Sequence, residues 1–168
     1  MSVAPQDIDT LHAQLGRAPR GVVAVAARCA CGNPTVVKTA PRLPDGTPFP
    51  TLYYLTHPGA VAATSTLEAM GTMREFQSRL GDDAALAAAY RAAHERYLEE
   101  RYAIEDVAEI HGISAGGMPD RVKCLHVLVG YALAAGPGVN PLGDEALALI
   151  AATWRPDRCT CETPATRS

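Results

Sequence analysis

The central segment of the chain reads SAGGMPDRVKCLH over residues 114–126 and continues as VLVGYALAA over residues 127–135. Its paired glycines allow backbone angles that other residues avoid. Pro119 has the fixed φ of a first helical turn, and Asp120 would favour the positive end of a helix dipole. From Val122 to Leu133 nearly every side chain is apolar, as in a helix buried on all sides. The segment therefore predicts a flexible glycine loop followed by the central helix of the fold.

The other patterns predict an α+β fold, in which a small antiparallel sheet packs against a helical bundle. Apolar and β-branched runs predict about three strands within residues 21–56, with a hairpin turn at Gly32-Asn-Pro. Apolar residues then recur at helical spacing through residues 59–153. We expect one domain over residues 1–154 and a flexible tail over residues 155–168. The separate helices are predicted over residues 6–17, 59–70, 72–80 and 144–154, with a long one that begins after Asp82 or Asp83.

Composition and charge argue against several classes of function. Of the 168 residues, 48% are hydrophobic and 20% are charged, which is enough to bury the core of one domain. The net charge is −3 and no basic block occurs, so a dedicated nucleic-acid binder is not expected. The N-terminal residues do not resemble a secretory signal, and no apolar run reaches the roughly 18–20 residues that span a bilayer. These features predict a cytoplasmic protein that is not embedded in a membrane.

Cysteine and histidine occur where predicted strands and helices begin or end. Cys29 ends the first strand, His57 ends the third, and Cys124 and His126 lie at the start of the central helix. Zinc is commonly held by four such thiolate and imidazole groups, and cysteines of a reducing compartment are usually thiols or metal ligands. We therefore predict a zinc site from these four residues. Residues two apart on a regular helix point to opposite sides, so either only Cys124 or His126 binds the ion or the first turn of the helix is distorted.

The remaining cysteines leave the composition of this site open. Cys31 is two residues from Cys29 and could chelate with it, because alternate residues of a strand face the same side. Cys159 and Cys161 repeat the C-x-C spacing in the predicted tail, where they could join a metal site, form a disulfide or do neither. Buried thiols with no common site are the alternative interpretation of all five cysteines.

A metal-free site is the alternative from another class of function. Cys124 lies near Arg121 and Lys123, and cations or a helix N-terminus lower the pKa of a thiol. With His57 or His126 as base, Cys124 could be the nucleophile of a thiol enzyme. Arg42, Arg121 and Lys123 could instead bind a small anionic ligand.

Three stretches carry a family resemblance, namely PFPTLYYLTHP at residues 48–58, SAGGMPDRVKCLH at residues 114–126 and GVNPLGDE at residues 138–145. They resemble the uncharacterised bacterial family called domain of unknown function 501, over most of residues 10–150. The resemblance implies a cytoplasmic protein of actinobacterial type and brings no activity with it. It implies that the positions of Cys29, Gly32, Pro34, His57, Cys124 and His126 recur among relatives, whereas those of Cys31 and the tail pair do not.

The same resemblance adds a third hypothesis for the function. Genes of this family tend to lie near those for a septum-formation initiator and an exopolyphosphatase. The resemblance therefore implies an interaction protein of cell division or polyphosphate physiology as an alternative to the metal-binding protein and the thiol enzyme.

Overall fold

The computed structural model describes residues 3–161 and confirms the α+β fold class. Its sheet has three antiparallel strands in the order β1-β2-β3, and six α-helices and one 3-10 helix accompany it in the described residues. The strands are β1 (Val22–Arg28), β2 (Pro34–Thr39) and β3 (Tyr53–Leu55). The helices are α1 (Pro5–Leu15), α2 (Pro58–Ala69), α3 (Thr72–Asp82), α4 (Ala84–Tyr102), α5 (Leu125–Ala135) and α6 (Pro141–Ile150), with the 3-10 helix at Ala108–Ile110.

Helix α5 is the buried centre of the bundle and packs directly on the sheet. A Cβ added to Gly130 would lie 3.0 Å from the carbonyl oxygen of Tyr53 in β3, so a glycine allows this close approach. The rings of Tyr53, Tyr97 and Tyr131 meet beside this contact, with centroids 5.0–5.9 Å apart. The Tyr131 hydroxyl donates to the carbonyl of Ala93 at 2.9 Å, which satisfies its polar atom within the core.

Helix α6 begins three residues before its predicted start at residue 144. The Asn140 side chain caps it by accepting a hydrogen bond from the Gly143 N–H at 3.0 Å, and Pro141 occupies the first turn. A Cβ on Gly143 would lie 2.9 Å from the Cβ of Ala132 in α5. Residues 140–143, which precede the predicted helix, therefore form its cap and its close crossing with α5.

Helix α5 begins later than the sequence predicts, at Leu125 rather than near Pro119. Gly116 and Gly117 both have positive φ, and their carbonyls accept from the N–H groups of Lys123 and Arg121. A Cβ on Gly117 would lie 2.8 Å from the carbonyl oxygen of Arg121. The glycines thus form a compact turn, not the expected flexible loop, because their lack of a side chain permits this close backbone contact.

The side chain of Gln77 explains why the helix does not extend back through this turn. Its amide donates to the carbonyl of Asp120 and accepts from the N–H of Val122, both at 2.9 Å. These backbone groups are therefore satisfied outside a helix. The sequence predicts that Asp120 lies at the positive end of the helix dipole. In the structure Asp120 precedes the helix and pairs with Arg91 at 2.9 Å on the exposed surface.

Candidate functional site

Two segments that each carry a C-x-C sequence meet at the end of the β1–β2 hairpin. Cys29 and Cys31 lie in the hairpin turn, where Gly32 has a φ of 93° and donates its N–H to the carbonyl of Cys29. The chain after α6 runs past this turn, and the carbonyl of Pro156 accepts from the N–H of Ala30 at 2.9 Å. That contact brings residues 155–161, the described part of the predicted tail, onto the hairpin. Residues 162–168 of that tail lie outside the described residues.

The result is a four-cysteine cluster, which consists of Cys29, Cys31, Cys159 and Cys161. Its four sulfur atoms all lie within 4.8 Å of one another, and the Cys161 sulfur is 3.5 Å from that of Cys31 and 3.9 Å from that of Cys29. A zinc ion with Zn–S bonds of about 2.3 Å holds its sulfur atoms about 3.8 Å apart. A disulfide brings two sulfur atoms to about 2.05 Å, and all five cysteines are free thiols. The spacing of the sulfur atoms therefore fits a tetrahedral metal ion, and the cluster could hold one.

The thiols of this cluster differ in how readily they ionise. Burial raises the pKa of Cys29 and raises the pKa of Cys161 to about 12. The backbone N–H of Asn33 is the main cause that lowers the pKa of Cys31 to about 7. Four thiolates this close repel one another unless a cation balances them, since like charges disfavour ionisation. A divalent ion would supply that charge and deprotonate the coordinating thiols.

His57 lies beside the four-cysteine cluster and caps helix α2. Its Nδ1 accepts from the backbone N–H groups of Gly59 and Ala60, at 3.0 and 3.4 Å. An imidazole that accepts at Nδ1 carries its hydrogen on Nε2, and burial keeps the ring neutral by lowering the pKa of His57. Nε2 lies 3.0 Å from the sulfur of Cys161, so its N–H donates to that sulfur. In the structure its Nδ1 caps helix α2 and its Nε2–H contacts Cys161, and the role of His57 as a metal ligand stays a prediction.

Trp154 packs beside the His57 ring. Its side chain is buried, and the two ring centroids lie 5.3 Å apart. A Cβ on Gly59 would lie 2.8 Å from Cδ1 of Trp154 and 3.2 Å from Cε1 of His57. Only a glycine at position 59 therefore lets Trp154 hold the start of the C-terminal segment against helix α2.

A second group, the mixed cluster, contains Glu68, Cys124 and His126. The Glu68 carboxylate lies 2.8 Å from Nδ1 of His126, the Cys124 sulfur lies 4.0 Å from the same nitrogen, and each residue offers a ligand atom within 4.8 Å of the others. A regular helix would let only Cys124 or His126 bind, unless its first turn were distorted. Because α5 begins at Leu125, Cys124 precedes the helix in an extended conformation and its thiol reaches His126.

Electrostatics in the mixed cluster favour the charged forms of both groups. Burial would raise the pKa of Cys124, but hydrogen bonds from His126 and the Val127 N–H outweigh it and lower the pKa. The pKa of His126 is raised, mainly by its hydrogen bond with Cys124 and also by the charge of Glu68, against the opposing effect of burial. The mixed cluster therefore favours a thiolate at Cys124 and an imidazolium at His126, although both residues are partly buried.

Cys124 and His126 also line a cavity of about 590 Å³. Its wall includes apolar and hydroxyl-bearing side chains from β3, α1 and α2, among them Tyr54, Thr56 and Val61. A pocket of this size with few polar groups is typical of small-molecule sites. The mixed cluster thus faces a space in which a small ligand could approach it.

The predicted anion-binding residues lie in two different segments of the fold. Arg42 lies between β2 and β3 and pairs with Glu105 and Glu109, at 3.6 and 2.9 Å. Arg121 and Lys123 are exposed in the turn before α5. A small anionic ligand for these three residues stays a prediction.

The predicted metal ligands are thus divided between two clusters rather than joined in one. Cys29 is in the four-cysteine cluster with His57 beside it, whereas Cys124 and His126 are in the mixed cluster. The sequence left Cys31 and the tail pair open as ligands and the resemblance counted against them, although the repeated C-x-C spacing was a signal for them. It also missed Glu68, whose signal is that it is the one charged residue of α2.

Comparison with known proteins agrees with the resemblance seen in the sequence. A family model described as "Protein of unknown function (DUF501)" matches residues 25–148. The chain belongs to this family. The DUF501 match contains the whole mixed cluster and the C-x-C of the hairpin, and it ends before Cys159 and Cys161. No curated protein and no solved structure matches the chain. None of the helices described for it is long and apolar enough to cross a membrane.

Proposed function

We infer that this protein is a zinc-binding protein whose ion is held by the four-cysteine cluster. The observation that carries the proposal is the approach of four free thiols, from segments about 130 residues apart, to within 4.8 Å of one another. An all-sulfur set of four ligands is typical of zinc and of iron–sulfur centres, and a single tetrahedral ion fits the sulfur spacing.

The proposed role of this ion is structural. Four protein ligands fill the tetrahedral shell of zinc and leave no position for water or substrate. The ion would bind the hairpin and the C-terminal segment at once, in addition to the backbone hydrogen bond between Ala30 and Pro156. His57 would orient the Cys161 thiolate through its Nε2–H, as outer hydrogen bonds do around many metal ligands.

Metal content of the untagged full chain, prepared under reducing conditions, tests this proposal. We expect the Cys31→Ser/Cys161→Ser double variant to contain one zinc ion per chain fewer than the wild type, by elemental analysis. His111→Gln is the matched control, because His111 pairs with Asp106 on the exposed surface outside both clusters, so this variant should keep the zinc content of the wild type. A double variant with the same zinc content as the wild type would refute the proposal.

A further inference from the structure

We propose that the mixed cluster is a second metal site, separate from the four-cysteine cluster and open to ligand. Glu68, Cys124 and His126 would supply three ligands to a borderline divalent ion such as zinc. A site with three protein ligands leaves a fourth position for water or for a donor atom of a bound molecule. This is the arrangement of catalytic rather than structural zinc.

The hydrogen bonds of His126 already suit a metal ligand. Nδ1 faces Glu68 and Cys124, and Nε2 faces away, at 3.3 Å from the carbonyl oxygen of Val61 and 3.0 Å from the hydroxyl of Ser65. Ligand histidines usually donate their other ring N–H to a backbone carbonyl or a similar acceptor, which fixes the tautomer. With Nε2–H directed at Val61, Nδ1 would lose its hydrogen when an ion binds, and its lone pair would then point at that ion.

Glu68 is held in place by the structure around it. One carboxylate oxygen contacts His126, and the other accepts weakly from the N–H of Leu125 at 3.4 Å. The side chains of Glu68 and His126 are only 20% and 27% exposed. Partly buried carboxylates need a compensating charge, and a divalent ion would balance one carboxylate and one thiolate together.

A small molecule in the cavity could reach the open coordination position of the ion. Cys124 and His126 form part of its wall, so an ion between them would face its interior. An ion of this kind can polarise a carbonyl or lower the pKa of a bound water. The ligand class that fits is a small, largely apolar molecule with an oxygen, nitrogen or sulfur donor, because hydroxyl groups and apolar side chains line the wall.

Cobalt(II) titration of the full chain tests the inference, because cobalt bound to thiolate absorbs light and each site can be counted. We expect two equivalents in the wild type and one in each of Cys124→Ser and His126→Gln, with circular dichroism confirming that they fold. His111→Gln is the matched control, because His111 pairs with Asp106 at 2.8 Å on the exposed surface with neither residue in a metal cluster. It should keep two equivalents.

The variants of the two clusters separate this inference from the proposed zinc function. If the wild type binds one equivalent that only Cys31→Ser/Cys161→Ser removes, the second site is refuted and the proposed function stands. If the single equivalent is lost only in Cys124→Ser, the second site stands and the proposed function fails.

Alkylation of the wild type gives a readout that needs no substitution in the mixed cluster. We expect zinc to slow the modification of Cys124, mapped by mass spectrometry, at least tenfold. An equal rate with and without zinc would overturn the inference and favour a metal-free thiol at Cys124.

Discussion

The four-cysteine cluster and the mixed cluster differ in ligands, surroundings and position in the chain. The first is all sulfur, lies between two turns and takes two of its cysteines from beyond the residues that the DUF501 family model matches. The second combines carboxylate, thiol and imidazole, is built on α2 and the start of α5, and faces a cavity. Four sulfur ligands that fill the metal shell are typical of a structural ion, which here would attach the C-terminal segment to the hairpin. Three protein ligands beside a cavity are typical of a site that binds a substrate. We therefore propose a stabilising role for the four-cysteine cluster and a reactive role for the mixed cluster.

Loss of one cysteine should reduce the free energy of unfolding much more in the four-cysteine cluster than in the mixed cluster. We expect Cys161→Ser to lower the free energy of unfolding of the zinc-saturated protein by about 4 kcal/mol, because loss of a structural metal is among the most destabilising changes. Cys124→Ser should lower it by less than half of that, because α2 and α5 are packed without the ion. Chemical denaturation measures both. An equal or larger effect of Cys124→Ser would contradict the assignment.

The Cys161→Ser variant should also detach the C-terminal segment from the hairpin. Arg155 and Arg158 are exposed, and trypsin cleaves after arginine when the chain can enter its active site. In Cys161→Ser we expect cleavage there at low trypsin concentrations that leave the wild type intact.

A methyl group at Gly59 should disturb the docking of Trp154 beside the four-cysteine cluster. Its Cβ would lie 2.8 Å from a rigid indole ring, so we expect Gly59→Ala to destabilise the protein by about 2 kcal/mol. Gly81→Ala is the matched control, because nothing lies within 4 Å of its added Cβ in α3. Alanine there should be neutral or stabilising, since it favours a helix. Thermal unfolding compares the two, and similar melting temperatures would contradict the proposed packing.

Substitution of His57 should weaken zinc binding without removing a ligand. Asparagine keeps the helix cap and loses the N–H donated to Cys161, so we expect His57→Asn to reduce zinc affinity about tenfold. His94→Asn is the control, because His94 is also buried and bonds Ser114 at 2.7 Å, outside both clusters. Competition with a chromophoric chelator measures the affinity. Loss of the zinc ion of the four-cysteine cluster on His57→Asn would mean that the imidazole is itself a ligand.

The two histidines should respond to pH in opposite directions in the metal-free protein. The raised pKa of His126 stabilises the fold fully below its unfolded pKa of about 6.5, and this contribution is lost as pH rises through the folded value. The lowered pKa of His57 gives the reverse, with stability lost as pH falls below about 6.5. His126→Gln should therefore be more destabilising at pH 6 than at pH 9, by about 1 kcal/mol. Denaturation with a chelator present tests this, and a reversed order would contradict the assigned hydrogen bonds.

Much of the fold could be predicted from the sequence, because hydrophobic periodicity reports which face of an element is buried. The hairpin at Gly32 and the long helix that Asp83 caps lie close to their predicted positions. The start of α5 could not be predicted, since it depends on the Gln77 side chain, which satisfies backbone groups more than forty residues away. Periodicity carries no information about such a contact.

The residues of the candidate site were harder to predict than the fold. Cys29, His57, Cys124 and His126 stood out as ligand types at the ends of elements, but nothing in the sequence assigns them to two clusters. The tail pair looked unstructured because residues 155–161 have no apolar pattern, and their position comes from the burial of Trp154 and the contact with Ala30. Glu68 was a single acid on an apolar helix, and only the fold brings it to His126.

Zinc X-ray absorption spectroscopy of the Cys124→Ser variant tests the central claim most directly, because it reports the ligands of the four-cysteine cluster alone. We predict a first shell of four sulfur atoms at about 2.3 Å. A shell with two or more nitrogen or oxygen ligands at about 2.0 Å, or a protein that retains no zinc, would contradict it.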